Sequence, residues 1–195
     1  VFANGKIAMK LVDGDKLVRV RTCAEDDDIL LSAHGGKCIR FPVTDVRVFV
    51  GRDSKGVRGI RLAKGDTVIA MSALRHVKVS VEDRDAYLQA VNASRRLKGG
   101  DYTERAEDKA RDEELAAKLV EDKFTRMAED EEFILTIAAD GFGKRSSAYE
   151  YRIAGRGGQG IANIDVSRGN KKTYVTAAFT VIDTDQIVMV SDSGQ

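Results

Sequence analysis

Short runs in which apolar and polar residues alternate recur along most of the chain. Four of them fill the first fifth of the sequence, at residues 6–11, 16–21, 28–33 and 37–41. In the first run the apolar residues Ile7, Met9 and Leu11 alternate with Lys6 and Lys10. Alternation with a period of two places the apolar side chains on one face of a strand. Because the runs are separated by Gly and Asp, the pattern predicts four short β-strands joined by tight turns.

The same pattern returns as an internal repeat. Segment 5–11, GKIAMKL, matches segment 56–62, GVRGIRL, at an offset of 51 residues, and a third copy, GIANIDV, occupies residues 160–166. The aligned residues Met9, Ile60 and Ile164 are expected in the core. Four strands in a period of about 40 to 55 residues are typical of a propeller blade. We therefore predict a mainly β fold of pinwheel or propeller-like blades, each with about four antiparallel strands.

A helical insertion interrupts the strand pattern between about residues 80 and 132. Apolar residues at helical spacing predict a first helix over 81–97, which Gly99 and Gly100 end. A second helix is predicted from Thr103, a candidate N-cap, to residue 130. Its expected apolar stripe comprises Leu115, Leu119, Val120, Phe124 and Met127. The two helices should fold back on each other as an antiparallel hairpin.

The repeat also predicts where the blades begin and end. We expect a blade at residues 1–50 that is truncated at its start, a second at 51–154 and a partial blade at 155–195. The insertion then lies between two strands of the second blade, 67–74 and 133–138. Both ends of the hairpin should therefore lie close together.

Charge is distributed unevenly between the insertion and the repeats. The 195 residues carry 32 Lys and Arg against 31 Asp and Glu, a net charge of +1. Residues 101–132 contain thirteen acidic and six basic residues, a local charge of −7, so the other residues sum to +8. A net charge near zero would argue against a nucleic-acid partner if the charge were evenly spread. Because the repeats are basic and the hairpin is acidic, a nucleic-acid partner for the repeats is not excluded.

Two glycine-rich loops occupy equivalent places in the repeat, at residues 51–56 and 155–160. The second matches the GxGxxG pattern of dinucleotide-binding turns, but that site needs a following helix, and here a strand is expected. Two interpretations remain equally open. Either small basic loops let a phosphate backbone approach main-chain amides, or they are exposed turns that need glycine for their geometry.

Other candidate chemistry is sparse. The acidic groups at Asp13-Gly14-Asp15, Asp26-Asp27-Asp28 and Asp183-Thr184-Asp185 fall at predicted hairpin ends and lack the spacing of a calcium loop, which favours turns. The sequence shows no nucleophile, base and acid in a recognised arrangement. We expect neither catalytic residues, metal ligands nor a bound cofactor in this chain.

The repeats as a set resemble the C-terminal β-pinwheel domain of the A subunit of bacterial DNA gyrase. The resemblance rests on residues 5–15, 56–62, 141–145 and 185–190, and it covers nearly everything outside the insertion. The related domain in the A subunit of topoisomerase IV, whose blades diverge more, is the alternative. The family's diagnostic segment of the Gln-Arg-Arg-Gly-Gly-Lys-Gly type is absent, and residues 154–160 resemble it only loosely.

The resemblance implies a non-catalytic domain that binds and wraps duplex DNA for a type IIA topoisomerase, an isomerase that introduces negative supercoils. It further implies that the cleavage tyrosine lies elsewhere in the gyrase A subunit. ATP and Mg²⁺ would belong to the parent complex with the gyrase B subunit. The expected location is the bacterial cytoplasm, on the chromosome, with no membrane partner.

The candidate DNA contacts are basic residues of the expected blade rim. Recurrence at matching places in successive repeats selects Lys10 with Arg61 and Arg40 with Arg145. The whole candidate set comprises Lys10, Lys37, Arg40, Arg52, Lys55, Arg58, Arg61, Lys144, Arg145 and Arg156. A different class of function remains open, in which the blades form a scaffold and the acidic hairpin binds a protein partner.

Overall fold

Nine β-strands and three α-helices make up the regular structure of the described residues, 6–99, 106–168 and 171–195, in the computed structural model. The strands are β1 (Asp27–Ala33), β2 (Lys37–Pro42), β3 (Val68–Arg75), β4 (Phe133–Ala138), β5 (Gly143–Ser147), β6 (Ile161–Ala162), β7 (Ser167–Arg168), β8 (Lys171–Lys172) and β9 (Val175–Val181). The helices are α1 (Val81–Gly99), α2 (Ala106–Ala117) and α3 (Asp122–Glu129).

The strands form two main antiparallel sheets. The first blade has the order β3-β1-β2-β6 and the second blade the order β5-β4-β9, while β7 and β8 form a separate hairpin. Leu30 pairs with Arg40 in the first blade, and Leu135 pairs with Arg145 at the equivalent place in the second. The predicted mainly β fold of antiparallel blades with a helical insertion is confirmed.

The blades pack against each other through a shared apolar core. Leu30, Cys38 and Leu74 of the first blade contact Ile134, Ala148 and Tyr151 of the second. On its other face the first blade buries Ile29, Ile39 and Phe41 against Ile60, which confirms Ile60 as a core residue. Each blade thus supplies apolar surface that it cannot bury alone.

The predicted strands at 6–11 and 16–21 are wrong, because neither segment forms a strand. Ile7 is 71% exposed and Leu11 is 47% exposed, and Met9 is not a core residue. An apolar alternation becomes a strand only when a neighbouring strand satisfies its backbone groups. Among the described residues, the backbone of segment 6–11 forms one hydrogen bond to another segment, from the Lys10 amide to the Ser54 carbonyl at 3.0 Å.

The third copy of the repeat contributes only the short strand β6. It pairs with β2, so that Ile161 lies opposite Cys38, and therefore extends the first blade. Ile164 and Val166 are half-buried. Local alternation cannot identify this partner, because the two paired segments lie more than 120 residues apart in the sequence.

The helical insertion joins the two blades. We expected β3 and β4 to share one blade, and this is wrong, since β3 pairs with β1 while β4 pairs with β5 and β9. The repeat identified equivalent strands correctly, but a repeat does not determine which strands pair with each other. The insertion therefore leaves the first blade at Arg75 and enters the second at Phe133.

The insertion contains three helices where two were predicted. Helix α1 covers the predicted 81–97, but a 3-10 turn at Lys118–Val120 and an extended Glu121 separate α2 from α3. The break turns Val120 outward, where it is 83% exposed, so its place in the predicted stripe is wrong. Phe124 and Met127 are buried as predicted. The candidate N-cap Thr103 lies outside the described residues.

The base of the hairpin is docked on the second blade. Tyr87, Phe124 and Met127 form a buried cluster with Tyr149, which lies in the turn that follows β5. The Tyr149 hydroxyl donates to the Met127 carbonyl at 3.0 Å, and the Tyr87 hydroxyl donates to Glu131 at 2.8 Å. The insertion is therefore an integral part of the packing.

Candidate nucleic-acid interface

Two loops meet beside the first blade and form what we call the basic edge, residues 47–61 and 152–160. Its basic residues are Arg47, Arg52, Lys55, Arg58, Arg61, Arg152 and Arg156, whereas Asp53 is the one acidic residue in these ranges. Backbone hydrogen bonds join the loops, from the Gly157 amide to the Gly59 carbonyl at 2.7 Å and from the Arg61 amide to the Gly158 carbonyl at 2.8 Å. These bonds join the glycine-rich loop 155–160 to residues 59–61, which follow shortly after the equivalent loop 51–56.

Arg156 holds the two loops together. Its Nη1 donates to the Arg58 carbonyl at 2.6 Å, and its Nε donates to the Asp45 carbonyl at 3.0 Å. The Arg156 amide also donates to the Asp45 carboxylate at 3.2 Å. Two of its three guanidinium nitrogens are therefore engaged within the protein, which makes Arg156 a residue that positions the edge.

Gly160 lets the second loop approach the sheet closely. Its φ of +70° lies in the left-handed region, and an added Cβ would collide with the Cys38 carbonyl of β2. Glycine is the residue that satisfies both demands at low cost. The 155–160 loop is followed by strand β6, so the helix required by a dinucleotide site is not there.

The basic side chains of the first loop point into solvent. Arg52, Lys55, Arg58 and Arg61 are exposed, and within the described part of the chain their side chains form no salt bridge. Lys10 lies beside this loop and pairs with Asp53 at 3.1 Å, while Lys37, at the start of β2, is also exposed. The cations of this loop can meet an external anion.

Arg40 does not belong to the rim. Only 5% of it is exposed, and its Nε lies 2.8 Å from Asp28. Its other two nitrogens donate to the backbone carbonyls of Ala148, at 2.8 Å, and Arg75, at 3.0 Å. The expected outward position is wrong because packing of the second blade covers this face of β2. Asp28, which we attributed to a turn, is the buried partner.

Lys144 and Arg145 lie on β5, a strand of the second blade. Lys144 is half-buried and 3.9 Å from Glu150. Arg145 pairs with Asp183 at 2.6 Å and lies over the Phe133 ring at 3.7 Å from its centroid. Both side chains therefore have acidic partners within the second blade, unlike the exposed cations at Arg52, Lys55, Arg58 and Arg61.

Arg47 and Arg152 are exposed members of the edge that the repeat did not select. Arg47 lies over the Phe49 ring, 4.6 Å from its centroid. Neither position recurs as a basic column, but a count of charge along 45–61 would have indicated Arg47. Arg152 joins the edge only through folding, since the Ala154 amide beside it donates to the Arg40 carbonyl at 2.8 Å.

Two buried acidic groups, the Cys38 thiol and the Tyr151 phenol, lie next to the edge. Burial raises the pKa of the Cys38 thiol to about 12, although Lys144 acts in the opposite direction. Burial likewise raises the pKa of Tyr151 to about 12. Both groups therefore stay protonated at neutral pH and add no negative charge near the edge.

Within the ranges that the structure describes, no helix is long and apolar enough to cross a membrane.

Comparison with known proteins identifies the family of this chain. The family model described as DNA gyrase C-terminal domain, beta-propeller, matches residues 3–24, 27–75 and 132–171, more than half of the chain. The chain belongs to the DNA gyrase C-terminal domain family. The match leaves out residues 76–131, which contain the helical insertion.

Much longer proteins similar to this gyrase-family chain share the region. The A subunit of DNA gyrase from Granulibacter bethesdensis is 47% identical over 202 residues, which cover 100% of this chain and 21% of that protein. The corresponding protein of Escherichia coli is 30% identical over 190 residues, covering 97% of this chain and 15% of that protein. The chain thus spans about a fifth or less of the length of these curated relatives.

A solved structure shows the same fold. The C-terminal domain of DNA topoisomerase IV superposes with a TM-score of 0.57 at 16% identity, over 91% of this chain and 38% of that one. This likeness concerns architecture alone. The sequence relatives place the chain with the A subunits of DNA gyrase, in agreement with the resemblance inferred from the blade repeats.

Proposed function

We propose that this chain binds duplex DNA along the basic edge and thereby supports DNA wrapping in a gyrase-type topoisomerase. The observation that carries the proposal is the clustering of exposed Arg and Lys in two joined loops with one acidic residue among them. Duplex DNA presents a regular array of phosphates, which such cations neutralise with release of counterions. The glycines keep the loops narrow, so main-chain amides can also approach a phosphate.

The proposed contacts are exposed basic residues that lie on or beside the basic edge. The set retains Lys10, Lys37, Arg52, Lys55, Arg58 and Arg61, to which we add Arg47 and Arg152. Arg156 acts by holding the loops, and Arg40 is excluded by burial. Contacts of this kind position DNA without reading bases, so we expect affinity to be indifferent to sequence.

The role in the parent complex is part of the same proposal. Wrapping by this domain would give strand passage a fixed direction, while the rest of the gyrase A subunit cleaves DNA and the gyrase B subunit binds ATP with Mg²⁺. The proposed location is the bacterial cytoplasm. The support for these statements is membership of the gyrase family, together with relatives named as the A subunit of DNA gyrase.

The test is a salt titration of duplex binding by fluorescence anisotropy. Each neutralised phosphate should add about 0.9 to the slope of log affinity against log salt. Replacing Arg52, Lys55, Arg58 and Arg61 together with Ala should lower that slope by up to about 4 and weaken binding for every duplex sequence.

A matched control removes the same charge elsewhere. Arg95, Lys98, Lys109 and Lys118 are exposed on the insertion, and their joint replacement with Ala should leave the slope unchanged. Equal losses in the two variants would mean that net charge, and not the basic edge, drives binding. Salt-independent binding would overturn the proposal.

A further inference from the structure

Three valines at the start of the first loop have different surroundings. Val46 packs against the apolar cluster of the first blade, which contains Phe41. Val48 is 88% exposed and Val50 is 100% exposed. Burial of a valine side chain stabilises a fold, and of these three only Val46 is placed to do so. The side chains of Val48 and Val50 are therefore available to an external partner.

Cations surround the two exposed valines. Arg47 and Arg52 flank them in the sequence, and Lys55 lines the same open cleft. Asp53 also lines this cleft, but it pairs with Lys10 at 3.1 Å, which offsets its charge. The cleft thus has an apolar part beside a net positive one. A DNA groove has the matching arrangement, with base edges between two rows of phosphates.

Three contacts hold the loop that presents these valines. The Arg47 guanidinium lies over the Phe49 ring, 4.6 Å from its centroid. The Lys10 amide donates to the Ser54 carbonyl at 3.0 Å, and the Gly56 amide donates to the Ser54 hydroxyl oxygen at 3.0 Å. A loop that is ordered before binding loses less conformational entropy when it meets its partner.

The chemistry of the two DNA grooves decides which of them suits the valines. In the major groove thymine presents a methyl group, whereas the base edges in the minor groove present hydrogen-bonding groups. An apolar side chain inserted into the minor groove also kinks the duplex toward the major groove, and thus away from the protein. Wrapping requires a bend toward the protein, so the major groove is favoured.

We propose that Val48 and Val50 contact thymine methyl groups in the major groove of DNA that is bound on the basic edge. Arg47, Arg52 and Lys55 neutralise the phosphates on either side of that groove. The inference rests on the proposed DNA binding, and it adds a base contact to phosphate contacts that are indifferent to sequence. The loop thereby favours thymine-rich segments at the place where it enters the major groove.

The test compares two duplexes of one thymine-rich sequence, of which the second carries uracil in place of thymine and so lacks the methyl groups. Fluorescence anisotropy measures both affinities. The thymine duplex should bind at least about threefold more tightly, since burial of one methyl group corresponds to about a fourfold change in affinity. Equal affinities with a normal salt slope would overturn this inference and leave DNA binding by the basic edge intact. Salt-independent binding of both duplexes would overturn both proposals.

Paired variants locate the contact. Val48→Ala with Val50→Ala should reduce the ratio of the two affinities to about one and leave the salt slope unchanged, because no charge is lost. Val48→Ile with Val50→Ile retains the apolar surface and should retain the ratio. Val120→Ala, at an exposed valine of the insertion, is the matched control and should also retain it. A ratio that persists in the double Ala variant would overturn the assignment.

Two further measurements address other partners for these side chains. Replacing guanine with inosine removes an amino group from the minor groove and leaves the major groove unchanged. An affinity that changes on this replacement in the native chain, but not in the double Ala variant, would place the valines in the minor groove and overturn the inference. Thermal unfolding without DNA, in this chain and in a full-length protein, should be unaffected by the Ala substitutions. A lower midpoint would mean that the protein itself covers the valines, which would also overturn the inference.

Discussion

Asp28 and Arg40 form a salt bridge in the interior of the protein, with Nε 2.8 Å from Oδ2 and with Asp28 fully buried. His76 Nδ1 lies 2.8 Å from the other carboxylate oxygen. The remaining Arg40 nitrogens donate to carbonyls of both blades. A sequence position that recurs as an apparent rim cation is therefore a structural connection between blades.

Removing one partner of this pair should destabilise the protein strongly. Arg40→Met leaves the Asp28 carboxylate buried without its cation, and breaking a buried pair in this way costs about 3–5 kcal/mol. Urea denaturation measures the free energy of unfolding. Arg52→Ala, at an exposed position, is the control and should change it by less than about 0.5 kcal/mol.

A second substitution separates pairing from packing. If the loss arises from the unpaired charge, Asp28→Asn should cost less in the Arg40→Met background than in the native chain. Additive effects of the two substitutions would contradict the proposed coupling. A stable Arg40→Met variant with weakened DNA binding would show that Arg40 reaches the surface after all.

Gly160 and Gly155 lie in the same loop but face different constraints. Gly160→Ala should destabilise the protein by more than about 1 kcal/mol, because φ is +70° and the added methyl group meets the Cys38 carbonyl. Gly155→Ala meets no atom within 4 Å and has no positive φ. It should be neutral or stabilise by up to about 1 kcal/mol. Equal thermal unfolding midpoints for the two variants would argue against the close approach of loop and sheet.

Tyr149 anchors the helical hairpin to the second blade. Tyr149→Phe removes the hydrogen bond to the Met127 carbonyl and should cost about 1 kcal/mol, whereas Tyr149→Ala also loses ring packing and should cost about 3–5 kcal/mol. Hydrogen exchange of the amides in α3 should accelerate in the same order. Tyr174→Phe, at an exposed ring, serves as control, and unchanged exchange in Tyr149→Ala would mean that the hairpin docks elsewhere.

Alkaline pH should destabilise the protein through its buried acids. Burial raises the pKa of Tyr149 and Tyr151 from 10.0 to about 12 and that of Cys38 from 9.0 to about 12. The folded protein keeps these protons at pH values where the unfolded chain has released them. Stability is therefore complete below about pH 9 and falls as pH rises toward 12.

Unfolding free energies at about pH 8, 10 and 11 measure this dependence. In Tyr151→Phe the decline between about pH 10 and 11 should be shallower, because one of the groups no longer titrates. A free energy of unfolding that stays constant over this range would contradict the burial of these side chains.

Much of each blade follows from local sequence. The hairpin of β1 and β2 and the strands at 67–74 and 133–138 were predicted from the sequence pattern, and all of them formed within one residue of the expected bounds. Strand geometry and turn geometry depend on near neighbours, so the sequence pattern carries them. The first helix of the insertion was predicted for the same reason.

The basic edge was only partly predictable. Its exposed cations at Arg52, Lys55 and Arg58 stand in one glycine-rich loop, so composition alone indicated them. The joining of this loop to residues 155–160 depends on Arg156, whose partner Arg58 lies 98 residues away. Such a contact leaves no local pattern, and it decides which cations share a surface.

Local sequence by itself determined the repeat, the strand-forming segments and the separation of an acidic insertion from basic blades, because side-chain alternation and charge are properties of neighbouring residues. Only the tertiary structure decided that β6 completes the first blade, that β3 and β4 lie in different sheets and that Arg40 is buried. Burial and strand pairing depend on which distant segment covers a face. Two arginines at equivalent repeat positions therefore have different environments. The second blade covers Arg40, whereas Arg145, which belongs to the second blade, is partly exposed.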